Sequence, residues 1–307
     1  MPLKTSKTDS DDALTLEWIL HIRKYKLHLN RKLCVGCEIC SLACPKEAIR
    51  LEKQPGPPET TTKRARIDID LGKCNFCGIC NILCPYGALI VTVDGEHLLS
   101  VVEKGSFPQL VREIKVDSSK YQAVDMDCEE ACPLDLIKVV NLRSSEGAAE
   151  TSGSLEKGAE NVEIQIDRPH CPCCRVCEFK CPEGTIRVQK FFHGKITVHA
   201  EKCPEDCRDC LDVCPITGAL YMSDQDSKVH ANDIFCVYCG ACKVVCPVDE
   251  ALELKRTQIR HTPVSSGAWN KALERVASPL EITKELKAKG SQKARESVGK
   301  RLGWRTM

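Results

Sequence analysis

Five copies of one cysteine pattern constrain this chain more than any other feature of its sequence. Four copies have the form Cys-x2-Cys-x2-Cys-x3-Cys-Pro, and one copy has an extra residue in its first gap. Such a repeat predicts a chain built from similar small units. In chain order, motifs one to five contain Cys34, Cys37, Cys40, Cys44; Cys74, Cys77, Cys80, Cys84; Cys171, Cys174, Cys177, Cys181; Cys203, Cys207, Cys210, Cys214; and Cys236, Cys239, Cys242, Cys246.

The spacing of these cysteines predicts [4Fe–4S] clusters. Three cysteines two residues apart, with a fourth before proline, are the ligand run of bacterial ferredoxins, in which the fourth cysteine binds the other cluster of a pair. Zinc sites instead combine two Cys-x2-Cys pairs across a spacer, often with histidine. The eight histidines of this chain follow no matching pattern. Disulfides are typical of exported proteins, and the N-terminal sequence does not predict an export signal.

A sixth copy of the pattern is degraded. Aligned with motif four, it has Tyr121, Asp125, Cys128 and Cys132 at the ligand positions. A sixth cluster would need Cys128, Cys181 and two replacement ligands. Asp125 is a candidate, because a carboxylate can bind iron, and Tyr121 is a poorer one. We expect this cluster to be absent, and we interpret Cys173, beside Cys174, as a free thiol.

Pairing the motifs in chain order gives five clusters. One detail favours this order: motif four and the degraded copy share the long first gap, and each then opens a pair. The ligand exchange between paired motifs then predicts the ligand sets. They are Cys34, Cys37, Cys40 and Cys84 for cluster one; Cys74, Cys77, Cys80 and Cys44 for cluster two; Cys171, Cys174, Cys177 and Cys132 for cluster three; Cys203, Cys207, Cys210 and Cys246 for cluster four; and Cys236, Cys239, Cys242 and Cys214 for cluster five.

The segments between the motifs predict an α+β fold. We expect tandem bacterial-type two-cluster ferredoxin modules (βαββαβ repeats) with small sheets, short helices and a helical C-terminal tail. The segment from Thr185 to Cys203 predicts two short strands around His193-Gly194. We expect the fourth cysteine of each motif to begin a short helix, because proline suits the first helical position. The predicted units are 24–100 with two clusters, 101–200 with one cluster and a flexible insertion at 143–161, 201–256 with two clusters, and a basic tail at 257–307.

Composition favours an electron carrier docked in a complex. The net charge is +1, from 44 basic and 43 acidic residues, whereas steering of a mobile carrier to its partners uses a strongly charged surface. No nucleophile–base pair, phosphate loop or flavin motif is visible, so we predict no catalytic site in this chain. The basic tail is interpreted as solvated or partner-bound rather than as binding nucleic acid. No apolar run approaches the roughly 18 residues of a membrane span, and we expect a cytoplasmic protein without membrane insertion.

Two segments carry a family resemblance. Residues 93–117 and 251–279, the latter including TPVSSGAWNKAL, resemble the polyferredoxin component of formylmethanofuran dehydrogenase, an archaeal tungsten or molybdenum enzyme. The resemblance covers most of 30–280. It departs from the fully ligated pattern at Tyr121 and Asp125.

The resemblance implies a place in methanogenesis. Electrons from ferredoxin or a heterodisulfide reductase would pass along the clusters to the tungsten or molybdenum subunit, where carbon dioxide is reduced and fixed on methanofuran. Two other functions fit the same motifs. One is an electron-relay polyferredoxin of a hydrogenase or heterodisulfide reductase complex, and the other is a free soluble ferredoxin.

Overall fold

The computed structural model describes residues 3–53, 64–97, 99–103, 107–121, 128–141, 162–263 and 276–277. Within these ranges the helices are α1 Ile39–Ala43, α2 Ile79–Leu83, α3 Ser100–Glu103, α4 Val176–Lys180, α5 Asp209–Val213 and α6 Ala241–Val245. The strands are β1 Lys4–Asp9, β2 Ala13–Ile19, β3 Lys24–Asn30, β4 Ile49–Glu52, β5 Arg66–Ile69, β6 Leu89–Val93, β7 Glu113–Val116, β8 Ile137–Asn141, β9 Val162–Ile166, β10 Ile186–Gln189, β11 Phe192–Val198, β12 Leu220–Met222, β13 Val229–Ala231 and β14 Leu252–Ile259. Short helices and small sheets confirm the predicted α+β ferredoxin class.

Five of these helices have the same position within a cysteine motif. Each of α1, α2, α4, α5 and α6 has five residues, carries the third cysteine of its motif as its second residue and ends just before the fourth. The fourth cysteine is in an extended conformation, as at Cys44 with φ −67° and ψ 115°. The prediction that it begins a helix is therefore wrong. The proline that follows has no N–H to continue the helix, so it acts as a stop signal.

The first sheet is larger than the sequence predicts. It has the order β1-β2-β3-β6 with antiparallel pairing throughout. Alternate side chains of β2 and β3 face the core, where Leu14, Leu16, Leu27 and Leu29 are buried. This alternation is what a half-exposed antiparallel sheet requires. The predicted range 24–100 leaves out β1 and β2.

The remaining sheets have two strands each. β4 pairs with β5, β7 with β10, β8 with β9, β11 with β14, and β12 with β13. The two strands expected around His193-Gly194 are instead divided at Lys190 and Phe191, and they join different sheets. His193 and Gly194 flank a register shift within β11. Because β11 pairs with β14, the sheet of motifs four and five begins at Phe192, which the predicted range 201–256 leaves out.

The C-terminal strand also extends beyond its expected end near Leu254. β14 continues to Ile259 and carries the buried Arg256. Of the predicted helical tail at 257–307, the structure describes 257–263, where the residues up to Ile259 belong to β14 and not to a helix, and 276–277, where Val276 is buried. The insertion at 143–161 lies outside the described residues.

Candidate iron–sulfur sites

Every motif begins with the same backbone turn. The residue before the second cysteine has a positive φ, which is sterically costly for residues other than glycine. Only one of the five is glycine, so four motifs hold a residue with a side chain in this unfavourable conformation. Strain of this kind is typical of functional sites. The residues and their φ angles are Gly36 69°, Phe76 55°, Cys173 57°, Asp206 56° and Tyr238 56°.

Four cavities are each lined by three cysteines of one motif and the fourth cysteine of another. They enclose about 290, 360, 380 and 360 Å³ of empty space in the order below, including the part open to solvent. Their matching sets of four cysteines indicate similar occupants. The cysteines are Cys34, Cys37, Cys40 and Cys84 in cavity one; Cys74, Cys77, Cys80 and Cys44 in cavity two; Cys171, Cys174, Cys177 and Cys132 in cavity three; and Cys236, Cys239, Cys242 and Cys214 in cavity five.

The cysteines of the fourth set also lie together. Burial raises the pKa of the Cys210 thiol to about 11, and the thiols of Cys207, Cys203 and Cys246 raise it further through their charges. The pKa of Cys203 is likewise raised by burial first and then by Cys246 and Cys207. The structure therefore brings the cysteines together in five groups, and each group combines two motifs.

These groups fit an iron–sulfur cluster by donor chemistry and by the number of sulfurs that each brings together. In the described part of the chain, no three metal-binding side chains converge as they would on a single ion; the sulfurs surround a cavity instead. Backbone N–H groups lie 3.3 Å from the sulfur of Cys44, 3.3 Å from that of Cys84 and 3.4 Å from that of Cys132. Such hydrogen bonds stabilise a thiolate.

Burial opposes thiolate formation in the same cavities. It raises the pKa of Cys34 to about 11, of Cys74 to about 11 and of Cys174 to about 12. A metal ligand must be deprotonated. At neutral pH these sulfurs therefore become thiolates when a cation compensates for the buried charge.

The degraded site retains a pair of thiols in contact. Cys128 and Cys181 are both buried, and their thiols are hydrogen-bonded to each other. Burial and this hydrogen bond raise the pKa of Cys181. Tyr121 is also buried, whereas Asp125 lies outside the described residues. The two remaining cysteines thus pack against each other.

Cys173 is a free thiol that does not line cavity three. It is fully buried, and its thiol is hydrogen-bonded to Cys171. This hydrogen bond is the main reason why the pKa of Cys171 lies below its usual value. Cys173 therefore supports a candidate ligand of cluster three without lining cavity three.

Arg112 connects motifs two and three, and no motif in the sequence indicates this role. Its guanidinium donates hydrogen bonds to the carbonyl oxygens of Cys84 and Cys171, both at 3.0 Å. It also lies over the ring of Phe191, 5.4 Å from the ring centre. The charge of Arg112 lowers the pKa of Cys84 and of Cys171. The largest influence on the pKa of Cys84 is burial, which raises it, and the largest influence on the pKa of Cys171 is the hydrogen bond with the Cys173 thiol, which lowers it.

Lys190 occupies a comparable position beside motif five. Its ammonium donates hydrogen bonds to the carbonyl oxygens of Cys236 at 2.8 Å and of Asp233 at 2.5 Å. Burial lowers its pKa to about 8. The charges of Cys236 and Cys174 act in the opposite direction, so Lys190 lies between motifs three and five.

Arg256 connects the first and last motifs. Its side chain is fully buried and donates to the carbonyl oxygens of Tyr238 at 2.7 Å, Cys239 at 2.9 Å and Val276 at 3.1 Å. It also pairs with the carboxylate of Glu38 at 3.1 Å. Because Glu38 and Arg256 are 218 positions apart, no local pattern indicates this contact.

The comparisons with known proteins agree with this geometry. The 4Fe-4S dicluster domain family matches twice, at residues 33–88 and 195–247. These two ranges contain motifs one, two, four and five. Two such domains correspond to four clusters, and motif three lies outside both ranges.

Curated relatives share part of the chain. The polyferredoxin-like subunit of aliphatic sulfonate oxidoreductase in Pyrococcus furiosus is 34% identical over 103 residues, which are 30% of this chain and 58% of the relative. A subunit of tetrathionate reductase in Archaeoglobus fulgidus is 28% identical over 120 residues, 36% of this chain and 56% of the relative. The chain thus spans a little over half the length of these two relatives.

A solved structure matches almost the whole chain. It is one chain of the formate dehydrogenase–heterodisulfide reductase–formylmethanofuran dehydrogenase complex from Methanospirillum hungatei. The TM-score is 0.76 at 31% identity, and the match covers 90% of this chain and 92% of the other. Fold, cysteine groups and relatives together define a ferredoxin-type iron–sulfur protein. More closely, the chain belongs to the family of polyferredoxin-like electron-transfer proteins with 4Fe-4S dicluster domains.

None of the described helices is both long and apolar enough to span a bilayer.

Proposed function

We propose that this chain is the electron-transfer component of a formylmethanofuran dehydrogenase. It would carry low-potential electrons along five [4Fe–4S] clusters to a tungsten or molybdenum subunit that reduces carbon dioxide to formyl-methanofuran. The observation that carries this proposal is the match to one chain of a complex containing that enzyme, at 31% identity over 92% of that chain. The segments 93–117 and 251–279 support the same assignment through their family resemblance.

In this proposal the five cysteine groups bind the clusters, and the ligands are the five sets predicted from the motifs. Each cluster supplies one-electron transfer at a potential set by its surroundings. The protein contributes the buried sulfurs, their N–H hydrogen bonds and the exclusion of water. No catalytic residue is assigned, because cofactor chemistry of this kind leaves positioning and tuning to the protein.

Permanent partners fit the charge of the chain better than free diffusion does. The balanced net charge of +1 gives little long-range steering toward a partner. We propose that the catalytic and other subunits of the complex bind this chain, and that ferredoxin or a heterodisulfide reductase donates the electrons. The place of action would then be the cytoplasm.

Anaerobic affinity purification of the tagged chain from its own organism tests the proposal. We expect it to retain a tungsten or molybdenum protein in a fixed ratio, with bound iron and acid-labile sulfide. A parallel purification from untagged cells is the control. Recovery of the chain alone, near its mass of 34.1 kDa, would instead indicate a free carrier.

A second function has its own support. The matched complex also contains a heterodisulfide reductase, so the chain is alternatively a relay component of such a reductase or of a hydrogenase. Co-purification with one of those enzymes, without tungsten or molybdenum, would favour this alternative.

A further inference from the structure

Cavities one and five share a wall formed by Tyr86. Tyr86 follows Cys84 by two positions and belongs to the first module, yet it lines both cavity one and cavity five. The side chain is buried. One aromatic residue that follows motif two therefore borders two candidate cluster sites.

The hydroxyl of Tyr86 needs an acceptor. It is buried and forms no hydrogen bond of ordinary geometry within the described residues. Tyr86 lines cavity five together with Cys239, and the sulfur of Cys239 raises the pKa of the phenol in addition to the larger effect of burial. A buried donor without a partner is destabilising, because it has lost its hydrogen bond to water. A thiol is a weak acceptor, whereas the thiolate of a bound cluster is negatively charged and satisfies the donor.

The surrounding contacts hold this arrangement in place. Motif five lies against motif one here, because a Cβ on Gly240, next to Cys239, would lie 2.9 Å from the Oε1 atom of Glu38, next to Cys37. Arg256 bonds the carbonyl oxygen of Cys239 and the carboxylate of Glu38, next to Cys37. The contact is thus fixed from two sides, by Tyr86 and by the Arg256–Glu38 pair.

We propose that Tyr86 donates a hydrogen bond to the sulfur of Cys239 and thereby sets the reduction potential of cluster five. This inference rests on the proposed cluster binding. A hydrogen bond to a ligand sulfur stabilises the more negative, reduced cluster and raises its potential. The contact at Tyr86 would then set the difference in reduction potential that drives electron transfer between clusters one and five. The neighbouring pair is clusters one and five, which are not adjacent in chain order.

Tyr86→Phe tests this assignment, because it removes the hydroxyl and keeps the ring. The matched control is Tyr221→Phe, which removes the hydroxyl of an exposed tyrosine that lines neither cavity. Anaerobic redox titration of the full-length holoprotein, followed by electron paramagnetic resonance, measures each cluster. Iron content is measured in parallel.

We expect Tyr86→Phe to lower the reduced-to-oxidised ratio of one cluster about tenfold at a fixed potential, equal to about 59 mV for one electron. Tyr221→Phe should change no ratio by more than about twofold. If Tyr86→Phe leaves every potential unchanged in a fully loaded protein, the Tyr86 inference is wrong and the proposed function stands. If the wild-type protein binds no clusters, both are wrong.

Discussion

At the scale of single residues, three buried or half-buried cations lie where the motifs meet. Arg112, Lys190 and Arg256 each donate to the carbonyl oxygen of a candidate ligand cysteine. Burial removes the water that hydrates a cation, so it is unfavourable unless another charge compensates for the loss. Reduced iron–sulfur clusters are negatively charged, so we interpret Arg112 and Lys190 as counter-charges of the bound clusters, whereas Arg256 is already paired with Glu38.

Replacing Arg112 tests this interpretation. Arg112→Gln should lower the potentials of clusters one and three, by about 60 mV for each 1.4 kcal/mol of lost interaction. Arg112→Lys is the matched control, because it retains the charge and loses the fork that bonds two carbonyls. We expect the lysine variant to have cluster potentials close to those of the wild type and a weaker contact between motifs two and three. Equal potentials in both variants and the wild type would contradict the counter-charge role.

The exchange of fourth ligands gives a second prediction at this scale. Cys44 belongs to motif one but lines cavity two, and Cys84 has the reciprocal position in cavity one. Cys44→Ala should therefore damage cluster two and spare cluster one, and Cys84→Ala should do the reverse. Paramagnetic resonance of the two variants separates the clusters. Loss of cluster one from the Cys44 variant would disprove the exchange.

At the scale of elements, the turns around the cysteines depend on left-handed residues. Gly240 at the start of α6 has φ +89°, and a Cβ there would lie 2.9 Å from Glu38 Oε1 and 3.0 Å from the Arg256 guanidinium. Gly95 has the same φ and nothing within 4 Å of such a Cβ. Substitutions at these two glycines therefore distinguish the cost of backbone strain, which both positions share, from the cost of crowding, which arises only at Gly240.

Alanine at each position makes the comparison. Gly95→Ala should cost only the left-handed strain of about 1–2 kcal/mol. Gly240→Ala adds overpacking of roughly 1–3 kcal/mol, and we expect its midpoint of anaerobic thermal unfolding to be lower than that of Gly95→Ala. Equal midpoints would show that Glu38 and Arg256 move away from the added methyl group without loss of stability.

Sequence patterns predict the elements nearest the motifs and not those that join them. The segment from Thr185 to Cys203 contains two strands as expected, although they divide at Lys190 and Phe191 and not at His193-Gly194. The pattern misplaces the helix near the fourth cysteine, because proline is compatible with both a helix start and a helix stop. It also misses Tyr86, Arg112 and Arg256, whose partners are distant in sequence, since no periodicity indicates tertiary contacts.

At the scale of the whole molecule, the number of clusters is the first quantity to measure. Five ligand sets predict about 20 iron and 20 sulfide per chain at four of each per cluster. Double replacement of Cys128 and Cys181 by serine should leave this content unchanged, since these thiols face each other. A fall of about four iron atoms in the double variant would instead reveal a sixth cluster.

Cluster removal should unfold the protein. The aromatic fraction is 5%, and cysteines of every motif belong to the buried core. Metal binding contributes directly to folding where the ligands form the core. Circular dichroism of the chelator-treated chain should therefore show loss of secondary structure, and a cooperative, native-like melt would contradict this expectation.

The shared wall at Tyr86 also bears on how such a chain can gain or lose modules. In an array of independent modules, one module can be deleted, because each module encloses its own cavity. Here Tyr86, two positions after Cys84, also lines cavity five, and excision of residues 3–103 would open that cavity to dissolved oxygen. Gene duplication in this architecture would have to preserve partner surfaces as well as ligands, so recombining its modules as interchangeable parts should yield air-sensitive products.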